Sequence, residues 1–263
     1  MSPLKDKRLF LLDMDGTIYL DNDLFDGTTD FLEYVKSIGG RYIFLTNNSS
    51  KSVDKYVEKL ASLGIESTPD DFLTSVNATV LYLKKKNYSK IYAFGTRSFV
   101  EQLKDAGLPV VTELCDDIDC LCMGFDTELT FKKLEEACIL LGRGVDYIAT
   151  NPDWVCPTWY GFVPDCGSVS EMLYNATKRR PIFIGKPEPT MALLAIEKTG
   201  FKKEETALMG DRLYTDIACG VNAGISSIFV LSGEGTMEDL EKSEVKPEFV
   251  YDNIRQIVNE LKG

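Results

Sequence analysis

Five short, almost unbroken apolar runs, set apart by amphipathic stretches, limit what this chain can fold into. Leu9-Phe10-Leu11-Leu12, Tyr42-Ile43-Phe44-Leu45, Pro181-Ile182-Phe183-Ile184, Ala207-Leu208-Met209 and Ile228-Phe229-Val230-Leu231 have the texture of strands covered on both faces. That is the habit of parallel sheets joined by helical crossovers. Between the first two runs, Phe31, Leu32, Val35 and Ile38 share one helical face, and Gly39-Gly40 stops the helix. The unit reads as βαβ and the fold class as α/β. Four of the five runs end in a polar residue able to do chemistry: Asp13, Thr46, Lys186 after Gly185, and Asp211 after Gly210. Ligands of an open parallel sheet bind beyond the carboxyl ends of its strands, so these four are expected in one crevice.

The middle of the chain carries its own strand candidates, Ile91 to Phe94, Leu121 to Phe125 and Tyr147 to Thr150. One helix is marked by Phe131, Leu134, Cys138 and Leu141 on one face, another by a capping box at Ser168-Val169-Ser170-Glu171. Because segments on both sides supply crevice residues, the middle reads as an insertion. The expected division is a discontinuous core over residues 1–75 and 181–263 with an inserted α/β domain over residues 76–180. No low-complexity tract, internal repeat or Gly/Ser/Pro-rich linker interrupts it.

Composition removes several chemistries. The 263 residues include no histidine, which excludes a Ser-His-Asp triad, a Cys-His pair and histidine-ligated metal. Proton transfer falls to carboxylates, Lys, Tyr or Cys. With 29 Lys plus Arg against 41 Asp plus Glu, a net charge of −12 argues against nucleic acid or an anionic membrane as partner. Seven cysteines without CxxC spacing fit reduced thiols packed as small apolar residues. With no signal peptide or membrane-spanning run in view, the expected location is the cytoplasm. Gly233 and Gly235 follow a strand but lack the third glycine of a dinucleotide fingerprint, and no GxxxxGK[ST] loop occurs.

The informative segment is Leu11-Leu12-Asp13-Met14-Asp15-Gly16-Thr17. Two carboxylates two residues apart can face one site only if the backbone leaves the strand there, which Gly16 permits. The placement suits a nucleophile beside an acid/base. Like charges so close call for a divalent cation with oxygen ligands and a third carboxylate, from Asp211 or Asp216. Taken alone, such an acidic pair is more often an ordinary turn or helix start.

Asp13-Met14-Asp15-Gly16-Thr17, Leu45-Thr46-Asn47-Asn48-Ser49, Gly185-Lys186-Pro187 and Gly210-Asp211 with Asp216 resemble, in order and placement, the four signature motifs of the haloacid dehalogenase (HAD) superfamily. The likeness spans the chain. The position of the insertion, and Thr150-Asn151-Pro152-Asp153 within it, resemble the NagD-like, p-nitrophenylphosphatase-like branch with a type 2 cap. The resemblance implies a Rossmann-like parallel-sheet core and a phosphatase for small phosphorylated metabolites. Asp13 would be the nucleophile that becomes an aspartyl phosphate, and Asp15 the general acid/base. Mg²⁺ would be held by Asp13, Asp211 and the backbone carbonyl of Asp15, with Asp216 orienting a metal-bound water. Thr46, with Asn47 beside it, and Lys186 would hold the phosphoryl oxygens.

In the cap, Asn151 and Asp153 would sit over the leaving group or order the loop that does. The aromatic stretch with Trp154, Trp159 and Tyr160 would stack on that group, or pack the cap or a dimer contact. Relatives of this kind often pair through the cap, so a homodimer is possible. Pro164-Asp165-Cys166-Gly167 departs from the small, glycine-rich turn expected there, and Asp165 would repel an anionic leaving group if it faced the site. Two other functions stay open at this level: a phosphomutase-type transferase and a non-catalytic phosphate-binding regulator.

Overall fold

The structure, a computed structural model, describes residues 3–158 and 160–263, without the side chains of residues 157 and 158. Trp159 lies outside the described residues. From the N-terminal side, β1 (Leu9–Leu12), β2 (Tyr19–Leu20), β3 (Asp23–Leu24), α1 (Thr28–Ser37), β4 (Arg41–Thr46) and α2 (Val53–Ser62) lead to β5 (Phe72–Thr74). There follow α3 (Ser75–Lys86), β6 (Ile91–Phe94), α4 (Arg97–Asp105), β7 (Val110–Val111), β8 (Cys120–Met123), α5 (Phe131–Arg143) and β9 (Asp146–Ala149). Next come the hairpin β10 (Val155–Thr158) and β11 (Gly161–Pro164), α6 (Cys166–Thr177) and β12 (Ile182–Phe183). The remaining elements are α7 (Thr190–Thr199), β13 (Thr206–Gly210), α8 (Ala218–Ala223), β14 (Ser226–Val230), α9 (Met237–Lys242), β15 (Phe249–Tyr251) and α10 (Ile254–Lys262). No helix among the described residues is long and apolar enough to cross a membrane.

The chain divides into two compact units, one of Met1–Thr46, Tyr56–Leu73 and Lys186–Gly263, the other of Asn47–Lys55 and Thr74–Gly185. The first is built on a six-stranded sheet in the order β15-β14-β13-β1-β4-β5. All four residues of central β1 are wholly buried, as a strand covered on both faces requires. Phe10 meets Phe31 of α1 edge-to-face, centroids 5.1 Å apart, a geometry worth about 0.5–1.5 kcal/mol beyond the buried area. Register positions the chemistry: Leu12 lies opposite both Met209 of β13 and Phe44 of β4, all in parallel. The residues that come next, Asp13, Gly210-Asp211 and Leu45-Thr46, therefore leave the sheet along one edge.

The second unit has a five-stranded parallel sheet, β12-β9-β8-β6-β7. Its core gathers Tyr92, Phe94, Leu121, Met123 and Tyr147 against Ala137, Leu140, Leu141 and Leu173. The expected run Pro181–Ile184 is a strand only at Ile182–Phe183, and it pairs with β9 of this sheet. Two local expectations need correction. Phe131 is 80% exposed at the start of α5, whose buried residues are Glu136, Ala137, Leu140 and Leu141. And α6 begins before the Ser168–Glu171 box: Asp165 is its N-cap, its carboxylate accepting from the Cys166 amide at 2.6 Å.

Candidate active site

Asp13 is the first residue beyond β1 and still ladders to β13, its amide donating to the Met209 carbonyl at 2.9 Å. The backbone then turns at Met14, whose carbonyl accepts from the amides of Thr17 at 3.2 Å and Ile18 at 3.0 Å. Gly16 has φ +87°, and a Cβ there would stand 2.4 Å from Asp211 Oδ2, so both the turn and the close approach demand glycine. The turn gives the two carboxylates different surroundings. Asp13 is largely buried, its side chain 14% exposed, whereas that of Asp15 is 48% exposed. The Tyr19 hydroxyl donates to Asp15 Oδ2 at 3.4 Å, and Lys59 Nζ on α2 lies 3.5 Å from Asp15 Oδ1.

Lys186, 3% exposed, is the central cation. Its Nζ donates to Asp13 Oδ1 at 2.5 Å, to Asp216 Oδ1 at 2.6 Å and to the Leu45 carbonyl at 3.4 Å. Burial alone would pull this amine down, but Asp13 and Asp216 outweigh it and hold it above its ordinary range. Asp211 and Asp216 are buried as well. Carboxylate oxygens of Asp13, Asp211 and Asp216 all lie within 4.8 Å of one another. Burial, then the charge of Asp216, push the Asp13 carboxyl well up against the pull of Lys186. The same two causes push Asp211 up to about 6, opposed by the Glu234 amide and the Arg212 guanidinium. Such a set of crowded oxygen donors fits a small, hard divalent cation, whose charge would relieve the mutual repulsion. Asp13 and Asp211 are the carboxylates best disposed to hold it, because Asp13 Oδ2 and Asp211 Oδ1 both lie 3.5 Å from the Thr17 hydroxyl. Asp216 is already committed to Lys186 and, through Oδ2, to the Arg212 amide at 3.2 Å.

The loop after β14 wraps round Asp211. The Glu234 amide donates to Asp211 Oδ2 at 2.7 Å, the Gly235 amide to the Asp211 carbonyl at 3.0 Å, and Ser232 Oγ to the Gly16 carbonyl at 2.8 Å. A Cβ at Gly233 would stand 2.0 Å from Asp211 Oδ2, and one at Gly235 2.5 Å from its carbonyl oxygen. These glycines serve close approach to Asp211, to its carboxylate at Gly233 and to its backbone carbonyl at Gly235.

Asp13, Lys186, Asp211 and Asp216 are thus brought together, with Thr46 buried at the end of β4 on the same sheet edge. Asn47, Asn151 and Asp153 form a buried network in the second unit. Asn47 Nδ2 donates to Asp153 Oδ1 at 3.0 Å, and Asn151 Nδ2 to the Asn47 carbonyl at 2.9 Å. The Ser75 hydroxyl donates to that same carbonyl at 2.7 Å. Asp165 belongs to this network, 3% exposed and hydrogen-bonded by Asn151. Burial, then Asp153, push its carboxyl up to about 7. Of the aromatics, Trp154 is 53% and Tyr160 64% exposed. Sequence reasoning missed Thr17, Tyr19, Lys59 and Glu234. Thr17 lay within the acidic motif and could have been found there; Lys59 is one cation among 29 Lys plus Arg and carries no local mark.

Residues 10–109 match the family model of haloacid dehalogenase-like hydrolases, and residues 183–257 match a second model, described as HAD-hydrolase-like. An acid sugar phosphatase of Staphylococcus aureus (strain MRSA252) is 33% identical over 260 residues, 98% of this chain and 100% of that protein. The crystal structure of 4-nitrophenylphosphatase from Thermotoga maritima superposes with a TM-score of 0.91 at 42% identity, covering 98% of each chain. That of a glycerol phosphate phosphatase from Mycobacterium tuberculosis, in complex with magnesium, gives 0.88 at 27% identity, covering 96% of this chain and 76% of that one.

Proposed function

Since the chain belongs to the haloacid dehalogenase-like hydrolases, we propose that it is a Mg²⁺-dependent phosphatase that hydrolyses small-molecule phosphomonoesters through an aspartyl phosphate. The observation that carries this reading is the convergence of Asp13, Asp211 and Asp216 round Lys186 at the sheet edge. Asp13 and Asp211, with the Asp15 carbonyl, would hold Mg²⁺, which supplies positive charge against the phosphoryl oxygens.

Asp13 attacks phosphorus, forming a P–O bond as the ester P–O bond breaks, and Asp15 gives its proton to the departing oxygen. Asp15, the more exposed carboxylate, then takes a proton from the water that cleaves the aspartyl phosphate and releases inorganic phosphate. Lys186 and Thr46, with Asn47 next to it, hold the equatorial oxygens, whose growing charge is the main thing such a site must stabilise. Lys186 also favours the ionised form of Asp13 and aims its carboxylate, and Asp216 keeps Lys186 in place.

The inserted segment 76–180 is assigned the choice of leaving group, with Asn151 and Asp153 as its selecting residues. Their bonds to Asn47, the residue after Thr46, support that assignment. Sugar phosphates head the substrate classes, as the name of the staphylococcal relative suggests. A cytoplasmic location and a homodimer through the inserted segment, where Trp154, Tyr160 and Phe162 are exposed, complete the proposal.

The test is phosphate release from a panel of metabolite monophosphates and p-nitrophenyl phosphate, with and without Mg²⁺, using wild type and Asp13→Asn. Mg²⁺-dependent release that Asn abolishes is the expected result, and a wide spread of kcat/KM across the panel would show selection of the leaving group. No release from any ester by the wild type would overturn the phosphatase in favour of a mutase or a phosphate-binding regulator.

A further inference from the structure

The carboxylate of Asp211 is held by a neighbour whose own side chain is held twice. Glu234 Oε2 accepts from Arg212 Nε at 2.7 Å, and Glu234 Oε1 from the Tyr214 hydroxyl at 3.2 Å. Arg212 stands just before the helical turn Leu213–Ile217 that follows β13 and Tyr214 lies within it, while Glu234 lies on the loop after β14. The side-chain bonds therefore clip one loop to the other. The backbone amide of the same Glu234 is the donor on Asp211 Oδ2, at 2.7 Å.

Space on that side is already spent. The Cα positions of Gly16 and Gly233 approach so closely that a Cβ at either would fall 2.4 Å and 2.0 Å from Oδ2. With Oδ2 enclosed and bonded, Oδ1 is the oxygen left toward Thr17 and Asp13. Glu234 is 43% exposed at its side chain, a half-exposed carboxylate whose two oxygens are taken up by Arg212 and Tyr214.

We infer that Glu234, clasped by Arg212 and Tyr214, is a positioning residue for the cation: it fixes the rotamer of Asp211 so that Oδ1 is presented before any metal arrives. The inference rests on the Mg²⁺ reading above and adds to it which residues outside the ligand set determine affinity. Partners of metal ligands of this sort typically govern tenfold to a hundredfold in affinity.

Charge and position make opposite forecasts, which gives the test its edge. Removing Arg212 takes a positive charge from beside Asp13 and Asp211, so plain electrostatics would tighten Mg²⁺; the clip demands that it weaken. Mg²⁺ is titrated calorimetrically into chelator-stripped wild type, Glu234→Ala, Glu234→Gln and Arg212→Met, and unfolding midpoints are measured without metal. Expected are a roughly tenfold to hundredfold rise in Kd for Glu234→Ala and for Arg212→Met. Glu234→Gln, which keeps an acceptor for Arg212, should retain most of the affinity, and the Glu234 variants should keep the metal-free midpoint. The Glu234→Ala and Arg212→Met effects should not add in the double variant. Tighter binding by Arg212→Met, equal loss in the Gln and Ala variants, or unchanged Kd throughout would overturn the clip. Failure of the wild type to bind Mg²⁺ is a separate outcome, and it overturns the cofactor reading together with everything built on it.

Discussion

Lys59 pairs directly with Asp15 while resting over the Tyr19 ring: its ammonium lies 3.5 Å from Asp15 Oδ1 and 3.7 Å from the ring centroid. The ring face and the carboxylate both attract the cation, and the Tyr19 hydroxyl reaches the other carboxylate oxygen. As the proposed acid/base, Asp15 would serve a leaving oxygen and then a water, and would gain from being held at both oxygens. Lys59→Met is expected to lower kcat on alkyl phosphates by about tenfold, less than the roughly 10²–10⁴ a general acid supplies, because Asp15 itself remains. On p-nitrophenyl phosphate, whose leaving group hardly needs a proton, the loss should be small. Equal losses on the two substrates would detach Lys59 from the proton transfer.

Removing Lys186 strands two buried carboxylates. Lys186→Met should abolish turnover and cost about 3–5 kcal/mol of stability at neutral pH, the usual penalty for breaking a buried ion pair from one side. The penalty should shrink as pH falls and the stranded carboxylates take up protons. Urea denaturation at pH 7.5 and pH 5 checks both statements.

Asp165 links stability to pH in the opposite sense from an ordinary salt-bridged carboxylate. Its folded pKa of about 7 lies above the unfolded value near 3.9, so the folded state binds the proton more tightly. Its contribution is fully present below about pH 4 and is lost as pH rises through about 7. Asp165→Asn, which keeps an N-cap, should therefore gain stability relative to wild type over that window, on the order of 2–4 kcal/mol by pH 7.5. A wild-type-minus-variant difference that stays flat from pH 4.5 to 7.5 would rule this out.

Gly16 offers a probe of placement. With φ at +87° and Asp211 Oδ2 in the way of a Cβ, Gly16→Ala must shift either the turn or the carboxylate. A displacement of about 1 Å in such a site costs on the order of 10²-fold in rate. We expect at least that loss in kcat with far-ultraviolet circular dichroism unchanged.

The sequence carries the site to the extent that strand ends carry it. Asp13, Thr46 and Asp211 were legible because each ends an apolar run, and parallel register does the rest: Leu12 opposite Met209 and Phe44 forces their successors to one edge. Lys186 was legible as a residue but not by its strand, since Ile182–Phe183 pairs with β9 of the second sheet. A run of four apolar residues says that a strand is buried; it does not say which sheet buries it. Glu234 and Lys59 were invisible for another reason. They act through hydrogen bonds and ring contacts made across distant segments, and nothing in their neighbours' pattern marks them. Phe131 misled because an apolar residue at helical spacing on the first turn of α5 need not reach the core. Asp165 was recognised as unusual, yet its burial and its bond to Asn151 depend on how α6 meets the loop at residues 151–154, which no local propensity encodes.

The pairing of β1 with both β4 and β13 has a consequence for synthesis. Leu9 finds Arg41 soon after it leaves the ribosome, but its other neighbour, Thr206, is made far later. At roughly 5–20 residues per second the wait between β4 and β13 is on the order of 10–30 s. Strands β6 to β12 are all translated within that interval, so the inserted sheet can assemble while the older one still lacks β13, β14 and β15. A nascent chain halted before Thr206 possesses Asp13 and Asp15 but no Asp211, and the proposed chemistry switches on only when the last strands close the gap.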